Sequence, residues 1–238
     1  PDVTSPQDLF FNDVNYDTRY LHLLFALRDA DVEIILQPKV RWTHRVFEYI
    51  EENWNVLCDD IKNGTVSMGD TLPKELQDVI DRFLLPDKQR ADELCKIFSE
   101  GFDSKVAKKI WPKLTAIYTN RSGDNEVYQD LKKRYIGEVD CIDLYYDTCG
   151  TIVGVGDTKD GEAGLKMIER AAFYEFIPLE DMGKDIEKIH TLLPEEVVSG
   201  KKYELVITTS AGLYRYRTGD VIIVNRSDNN ILRYTYDV

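Results

Sequence analysis

The sequence predicts a mixed α/β fold, a β-sheet with flanking helices. Through residue 113, apolar side chains recur at helical spacing, whereas from residue 114 onward short runs of β-branched and aromatic residues alternate with turns rich in Gly and Asp. With 43% hydrophobic and 31% charged residues among 238, the chain has an ordinary globular composition and is long enough to bury a sizeable core. We therefore expect a mainly helical part, 1–113, and a sheet-rich part, 114–238.

Five helices are predicted in the first part. The first covers residues 17–27, where Asp17 is a candidate N-cap and apolar residues at i, i+3, i+4 and i+7 form one stripe. A short strand at 32–36 follows it. The remaining helices are predicted at 43–62, from Pro73 to a point before Pro86, at 88–100 and at 105–111.

The second part carries the predicted strands. They are separated by turn residues, and a helix is expected among them at 127–135. Strand and helix alternate from 114 to 146, which indicates a partly parallel sheet, whereas the strands after residue 150 should pair antiparallel. The strands are predicted at 114–118, 141–146, 151–155, 171–177 and 203–209.

The most informative stretch is 200–224. It is typical of two strands joined by a turn at 210–212, followed by a tight corner at 218–220 and a third, apolar strand. Gly219 permits backbone angles that other residues resist, so Asp220 can project from a rigid bend. A carboxylate held in this way suits the vicinal hydroxyls of a ribose. The alternative is a plain β-hairpin with a Gly-Asp turn.

Charge and cysteine content limit the possible partners and compartment. The net charge of −13 argues against non-specific binding to nucleic acid and against docking on an anionic membrane surface. No run of about 18 apolar residues predicts a membrane span. The four cysteines lack metal-ligand spacing, and we expect Cys58 and Cys95 to be buried free thiols on helix faces. A reducing compartment, the cytoplasm, is therefore expected.

The run from Tyr216 to Asp220 resembles the nucleotide-binding signature of adenylate-forming enzymes. Its longer form, 212–221, looks like one family among them, the auxin-responsive acyl-acid amido synthetases (the Gretchen Hagen family). Further blocks resemble that family in the expected order, at 19–27 with 32–35, 47–64, 85–92 with 110–113, and 173–178. The resemblance implies that both parts of the chain belong to one large N-terminal domain. It also implies that the family's Ser/Thr/Gly-rich phosphate loop and its small C-terminal domain, with a catalytic Lys, lie outside this chain.

The resemblance implies an ATP-dependent reaction in two steps. A small carboxylic acid attacks the α-phosphate of ATP, which gives an acyl-adenylate and pyrophosphate. The amine of an amino acid then attacks the acyl carbon, which gives an amide and AMP. The expected cofactors are ATP and Mg²⁺, because charge develops on phosphate oxygens in the transition state.

By the same resemblance, Asp220 would bind the ribose hydroxyls, while Tyr216 and Arg217 would support its turn. Phe173 and Tyr174 lie on the strand that looks like the adenine wall, where a flat aromatic ring can stack on the base. A position in the hydrophobic core is the alternative for this aromatic pair. Arg19, on the first predicted helix, could pair with a substrate carboxylate, or it could lie on a solvated face.

A second family motif, aromatic-Gly-small-Ser/Thr-Glu, is altered here at residues 145–150. Tyr145 and Thr148 fit it, and Thr148 could offer its hydroxyl to a phosphate. Tyr146 stands where the family has Gly, and would crowd a backbone lying close to AMP. Cys149 replaces the Glu expected to help hold Mg²⁺, and a thiol is a poor ligand for that hard cation. Asp147, two residues away, is the alternative carboxylate for the missing Glu.

Three functions follow as hypotheses. The first is an ATP-dependent acid–amino acid ligase, of which this chain alone would be inactive without the phosphate loop and the distal Lys. The second is a catalytically inactive family member that binds a nucleotide or a partner. The third is a structural or interaction domain with no nucleotide site.

Overall fold

The computed structural model describes residues 3–10, 17–67, 71–121, 124–159, 162–228 and 231–236. The predicted mixed α/β class is confirmed. All of the predicted helices are present, with ends that shift by a few residues. They are α1 (Arg19–Arg28), α2 (Val40–Asn63), α3 (Lys74–Phe83), α4 (Lys88–Ser99), α5 (Val106–Ile110) and α6 (Asn125–Leu131), the last continued by a π-helical turn at Lys132–Ile136.

A side-chain cap marks the start of α4. The Asp87 carboxylate accepts a hydrogen bond from the backbone N–H of Arg90 at 2.9 Å and so caps α4. Pro73 lies directly before α3, as its position in the sequence suggests. The prediction that Asp17 is the N-cap of α1 was wrong, because α1 begins at Arg19 and the residue before it is Thr18. Asp17 instead binds the backbone N–H and the guanidinium of Arg19.

The helices α1, α4 and α5 are joined by polar side chains that reach backbone carbonyls. The buried guanidinium of Arg90 donates to the carbonyl of Leu27 at 2.9 Å and to that of Ile110 at 2.6 Å. The indole N–H of Trp111 donates to the carbonyl of Ala26 at 2.8 Å. Burying these groups would otherwise be unfavourable, so the hydrogen bonds both permit the burial and fix the packing.

The strands in the described parts of the chain form two sheets. A three-stranded sheet has the order β1 (Ile34–Lys39), β2 (Ala116–Asn120) and β3 (Asp140–Ile142). The single strand predicted at 141–146 is in fact two, because β3 ends at Ile142 and β4 begins at Tyr145 in the other sheet. Between them, Asp143 is buried and binds the backbone N–H of Arg121 at 3.0 Å and its guanidinium at 2.6 Å. A buried, paired carboxylate therefore marks the change of sheet.

The larger sheet has seven strands in the order β4-β5-β6-β10-β9-β8-β7, and each neighbouring pair is antiparallel. The expected antiparallel pairing after residue 150 is confirmed, and β6 is a strand that the sequence pattern missed. The strands are β4 (Tyr145–Thr148), β5 (Thr151–Lys159), β6 (Glu162–Met167), β7 (Phe173–Pro178), β8 (Lys202–Thr208), β9 (Tyr216–Asp228) and β10 (Ile231–Tyr236).

One face of this sheet encloses a single hydrophobic core. Tyr146 on the edge strand β4 and Phe176 on the opposite edge strand β7 both belong to that core, together with Leu205, Ile222 and Tyr234. The Tyr146 hydroxyl of β4 bonds to the Asp220 carboxylate of β9, although three strands lie between β4 and β9 in the sheet. This contact requires the sheet to curl strongly, as twisted antiparallel sheets do.

The chain divides into two compact units. The first consists of Pro1–Leu36, Arg41–Ile117 and Glu126–Asp140, and the second of Gln37–Val40, Tyr118–Asn125 and Cys141–Val238. The seven-stranded sheet lies in the second unit. The division predicted near residue 113 stays a prediction.

Candidate functional site

The segment 218–220 is a bulge within the continuous strand β9. Glu204 of β8 lies opposite Val221, and Val206 lies opposite Arg217, so three residues of β9 face only Leu205. The predicted corner between two separate strands was therefore wrong, since β9 runs from Tyr216 to Asp228 through this point. An insertion of this kind bends the strand and re-aims a side chain, which is a frequent feature of binding sites.

The bulge is held in place by its own residues. Gly219 has φ of +77°, a conformation that side chains other than Gly rarely adopt. The Thr218 hydroxyl donates to the carbonyl of Leu205 at 2.9 Å and accepts from the backbone N–H of Asp220 at 3.1 Å. The role expected for Gly219 is thus met, and Asp220 projects from a fixed backbone.

Two residues of β4 converge on the Asp220 carboxylate. The Tyr146 hydroxyl donates a short hydrogen bond to Oδ2 of Asp220, and the Thr148 hydroxyl donates to the same oxygen at 3.3 Å. Tyr146 is only 3% exposed, and its burial, together with the bond to Asp220, raises the pKa of its phenol. The phenol therefore stays protonated and stays a donor. Two sequence motifs more than 70 residues apart meet at one oxygen.

The turn between β4 and β5 consists of Cys149 and Gly150. Their φ values are +52° and +75°, and Thr148 pairs with Thr151 across the turn. Two-residue hairpins of this type require positive φ at both positions, which Asn or Gly adopts more easily than Cys. The Cys149 thiol is exposed and lies 3.6 Å from the Thr148 hydroxyl.

This turn does not fit a magnesium ion. A neutral thiol stands where the family motif has a carboxylate, and Mg²⁺ takes oxygen ligands. Asp147 is exposed on β4. Within residues 3–236, apart from the short stretches that the structure leaves undescribed, no group of three His, Cys, Asp or Glu side chains could hold a metal.

Arg217 of β9 joins the bulge to the neighbouring strand β8. Its Nε donates to both carboxylate oxygens of the buried Glu204 at 3.0 Å, and its Nη2 reaches the carbonyl of Met182 at 2.5 Å. This ion pair raises the pKa of the guanidinium. Tyr216 precedes it, is 45% exposed and lies opposite Ile207 of β8. The role of Tyr216 and Arg217 in supporting the turn stays a prediction. The contacts of Arg217 agree with it.

The aromatic pair on β7 is divided between the two faces of the sheet. Tyr174 is 3% exposed, belongs to the core, and donates from its hydroxyl to the carbonyl of Ile168 at 2.7 Å. The core alternative thus holds for Tyr174, whose ring is not available to stack on a base. Neighbouring strand residues point to opposite faces, and Phe173 is 57% exposed. Of the two, Phe173 alone can offer a ring face.

Two more of the expected site residues lie in ordinary structural surroundings. Tyr145, at the start of β4, is half-buried, and its carbonyl accepts a hydrogen bond from the Asn120 amide at 3.2 Å. The Arg19 side chain is 90% exposed and forms an ion pair with Asp17 in the first unit. These surroundings agree with the solvated-face alternative for Arg19, and its contact with substrate stays a prediction.

An ion pair beside the bulge was missed by the sequence analysis. Arg215 has φ of +46°, and its guanidinium binds the buried carboxylate of Glu175 at 2.9 and 3.1 Å and the Thr191 hydroxyl at 3.0 Å. The available signal was Glu175 itself, a charged residue inside an apolar strand. Such a residue requires a cationic partner when it is buried.

None of the helices within the described ranges is long and apolar enough to cross a membrane.

Comparison with known proteins assigns the chain to a family. The model of the GH3 family N-terminal domain matches residues 1–141, and that of the GH3 family central domain matches residues 165–231. The chain belongs to the GH3 family, and the predicted resemblance to the Gretchen Hagen amido synthetases is confirmed.

Individual relatives agree with this assignment. A jasmonoyl–L-amino acid synthetase of Oryza sativa subsp. japonica is 30% identical over 95% of this chain and 41% of its own length. An indole-3-acetic acid-amido synthetase of Arabidopsis thaliana is 28% identical over 92% of this chain and 40% of its own. A solved GH3.15 acyl acid amido synthetase shares the fold, with a TM-score of 0.78 at 24% identity over 98% of this chain and 41% of that one. The chain thus spans less than half the length of these relatives.

Proposed function

We propose that the whole protein carrying this chain is an acyl-acid amido synthetase, which joins a small carboxylic acid to an amino acid at the expense of ATP. The observation that supports the proposal most directly is the convergence of Thr148 and Asp220. They come from two motifs that the resemblance assigns to the nucleotide, and family membership agrees with the same reaction class.

Each side chain of the site has a defined part in this proposal. The Asp220 carboxylate accepts hydrogen bonds from ribose hydroxyls, and the Arg217–Glu204 pair keeps β9 against β8 beside the bulge. The exposed ring of Phe173 offers an apolar surface to a base. Mg²⁺ is given no part here, because the thiol of Cys149 does not supply the oxygen that this ion prefers.

A second candidate is an inactive family member that binds a nucleotide or a partner. The observation in its favour is the altered motif on β4. Cys149 replaces a carboxylate, and Tyr146 places a phenol on the carboxylate proposed to bind ribose. The two candidates share the same site and differ only in turnover.

A cytoplasmic location is part of the proposal. Its support is the state of the cysteines, all four of which are free thiols. Cys58 is buried, as predicted, whereas Cys95 is half-buried. Free thiols persist in compartments that are kept reducing.

The deciding experiment is acid-dependent release of pyrophosphate by the full-length protein with ATP, Mg²⁺ and a broad panel of carboxylic acids. The ligase proposal expects release with at least one acid, and much weaker ATP binding by Asp220→Ala, roughly 10- to 100-fold for a lost charge-assisted hydrogen bond. The exposed Glu180→Gln serves as a control that should leave both unchanged. ATP binding without release favours the second candidate. No effect of Asp220→Ala contradicts both.

A further inference from the structure

We propose that the Tyr146 phenol is a built-in competitor for the ribose of a nucleotide, because it occupies one of the two Asp220 oxygens that the ribose hydroxyls would use. The proposal rests on the proposed function for the identity of the ligand. It adds a specificity-determining residue, Tyr146, that the family motif does not contain at this position.

The position of Tyr146 is fixed by the core and not by the site. Its ring is 3% exposed and packs edge-on against Tyr234, with ring centroids 6.1 Å apart and an interplanar angle of 72°. The ring contributes to the same hydrophobic core as Phe176 and Leu205. Rotating the phenol away from Asp220 would expose this ring, so the hydrogen bond is the resting state of the site.

The chemistry of the two donors is alike. A phenol and a ribose hydroxyl are both neutral O–H groups that donate to a carboxylate. Oδ2 of Asp220 already accepts from Tyr146 and from Thr148. A third donor at Oδ2 would have to displace one of these two, and Tyr146 is the one anchored by its ring. While the phenol is in place, a ribose is therefore left with Oδ1 of Asp220, which is one of the two carboxylate oxygens that vicinal hydroxyls would use.

This arrangement makes a prediction that is specific to the sugar. The native protein should distinguish ATP from 2′,3′-dideoxy-ATP less well than a variant without the phenol oxygen, because one of the two carboxylate oxygens that separate the ligands is already occupied. Removing the phenol oxygen should increase the preference for ATP. Tyr146→Phe keeps the ring in the core and leaves the carboxylate open to a ribose.

The test compares the binding of ATP and 2′,3′-dideoxy-ATP to the full-length protein and its variants by calorimetry. We expect the preference for ATP to be about tenfold larger in Tyr146→Phe than in the native protein. The preference should be lost in the double variant Tyr146→Phe with Asp220→Asn. Tyr234→Phe is the matched control, because the Tyr234 hydroxyl is buried in the same core and has no hydrogen-bond partner among the described residues. It should leave the preference unchanged.

Three results would overturn the inference. The same preference for ATP in the native protein and in Tyr146→Phe would show that the phenol does not block Asp220. An equal gain in affinity for both nucleotides in Tyr146→Phe would show that the phenol oxygen acts only by its size. Absence of nucleotide binding by Tyr146→Phe would show that no ribose site lies beneath the phenol.

Pyrophosphate release keeps the two proposals apart. If the protein releases pyrophosphate with an acid and Tyr146→Phe does not change the preference for ATP over 2′,3′-dideoxy-ATP, the ligase proposal stands and the competitor proposal fails. If Tyr146→Phe increases that preference but neither protein releases pyrophosphate, the competitor proposal stands and the ligase proposal fails.

Discussion

The guanidinium of Arg217 lies against the buried carboxylate of Glu204, with Nε 3.0 Å from each carboxylate oxygen. The pair joins β9 to β8 directly beside the bulge that presents Asp220. Its geometry makes Arg217 part of the support of the site and leaves the positive charge already neutralised.

Arg217→Ala should lower the free energy of unfolding by about 2–3 kcal/mol, because it leaves the Glu204 carboxylate buried without its cation. Urea unfolding of the variant measures the loss. Arg170→Ala, at an exposed arginine of the same unit, is the control and should stay within about 0.5 kcal/mol of the native protein. Equal losses in the two variants would mean that the ion pair contributes nothing to stability.

Gly219→Ala should destabilise the protein by about 1–2 kcal/mol, since a side chain at φ of +77° strains the backbone. Apart from Gly219 and its two chain neighbours, the described residues place no atom within 4 Å of a Cβ built there, so the loss would come from the backbone alone. Gly183→Ala is a matched control, because its Cβ would also meet nothing within 4 Å and its φ is not positive. The thermal unfolding midpoints of the two variants separate the effect of backbone strain from that of adding a methyl group. Similar midpoints would contradict a strained bulge.

Cys149→Asn should raise the free energy of unfolding by about 0.5–1 kcal/mol. Cys149 has φ of +52° in the two-residue turn before β5, and Asn followed by Gly is the favoured pair for such turns. Cys149→Val, with a β-branched side chain in the same conformation, should lower it instead. Both changes are read from chemical unfolding curves, and a pair of variants with the same stability would show that the turn is not strained.

Stability should fall above about pH 10, and Tyr146→Phe should make that fall shallower. The folded state raises the pKa of Tyr146 above its usual value of 10.0, so the folded protein holds the proton when the unfolded chain has begun to release it. The stabilisation is complete below pH 10 and is lost as the pH rises beyond it, by at most about 1.4 kcal/mol per pH unit for one group. Unfolding free energies at pH 9, 10 and 11 test this, and parallel curves for the two proteins would refute it.

The sequence predicted those elements whose signal is local. The helices followed from apolar spacing, and Gly219 from the backbone freedom that its turn needed. The strand β6 escaped because Glu162–Met167 contains no β-branched or aromatic residue. The strand predicted across Asp143 was split because a buried carboxylate found its partner in Arg121, a pairing that the local pattern does not reveal.

The contacts at the site were harder to predict for a different reason. The sequence shows that Tyr146 replaces the Gly of its motif, but the hydrogen bond from Tyr146 to Asp220 joins residues 74 positions apart and depends on the curl of the sheet. Whether Tyr174 or Phe173 faced the core depended on strand register, and a register shift of one residue reverses the two faces. Only the assembled sheet decides such questions.

The arrangement of β4 beside β9 also governs the order in which the molecule can assemble. On a ribosome, the hairpin of β4 and β5 emerges well before β9 and β10, whose side chains cover Tyr146 and Val153 in the finished core. Until β9 and β10 are made, the β4–β5 hairpin exposes apolar side chains that have not yet been covered, and pairing segments so far apart in sequence is slow. Newly made chains therefore pass through an aggregation-prone intermediate, which is the stage at which chaperones have their greatest opportunity to act.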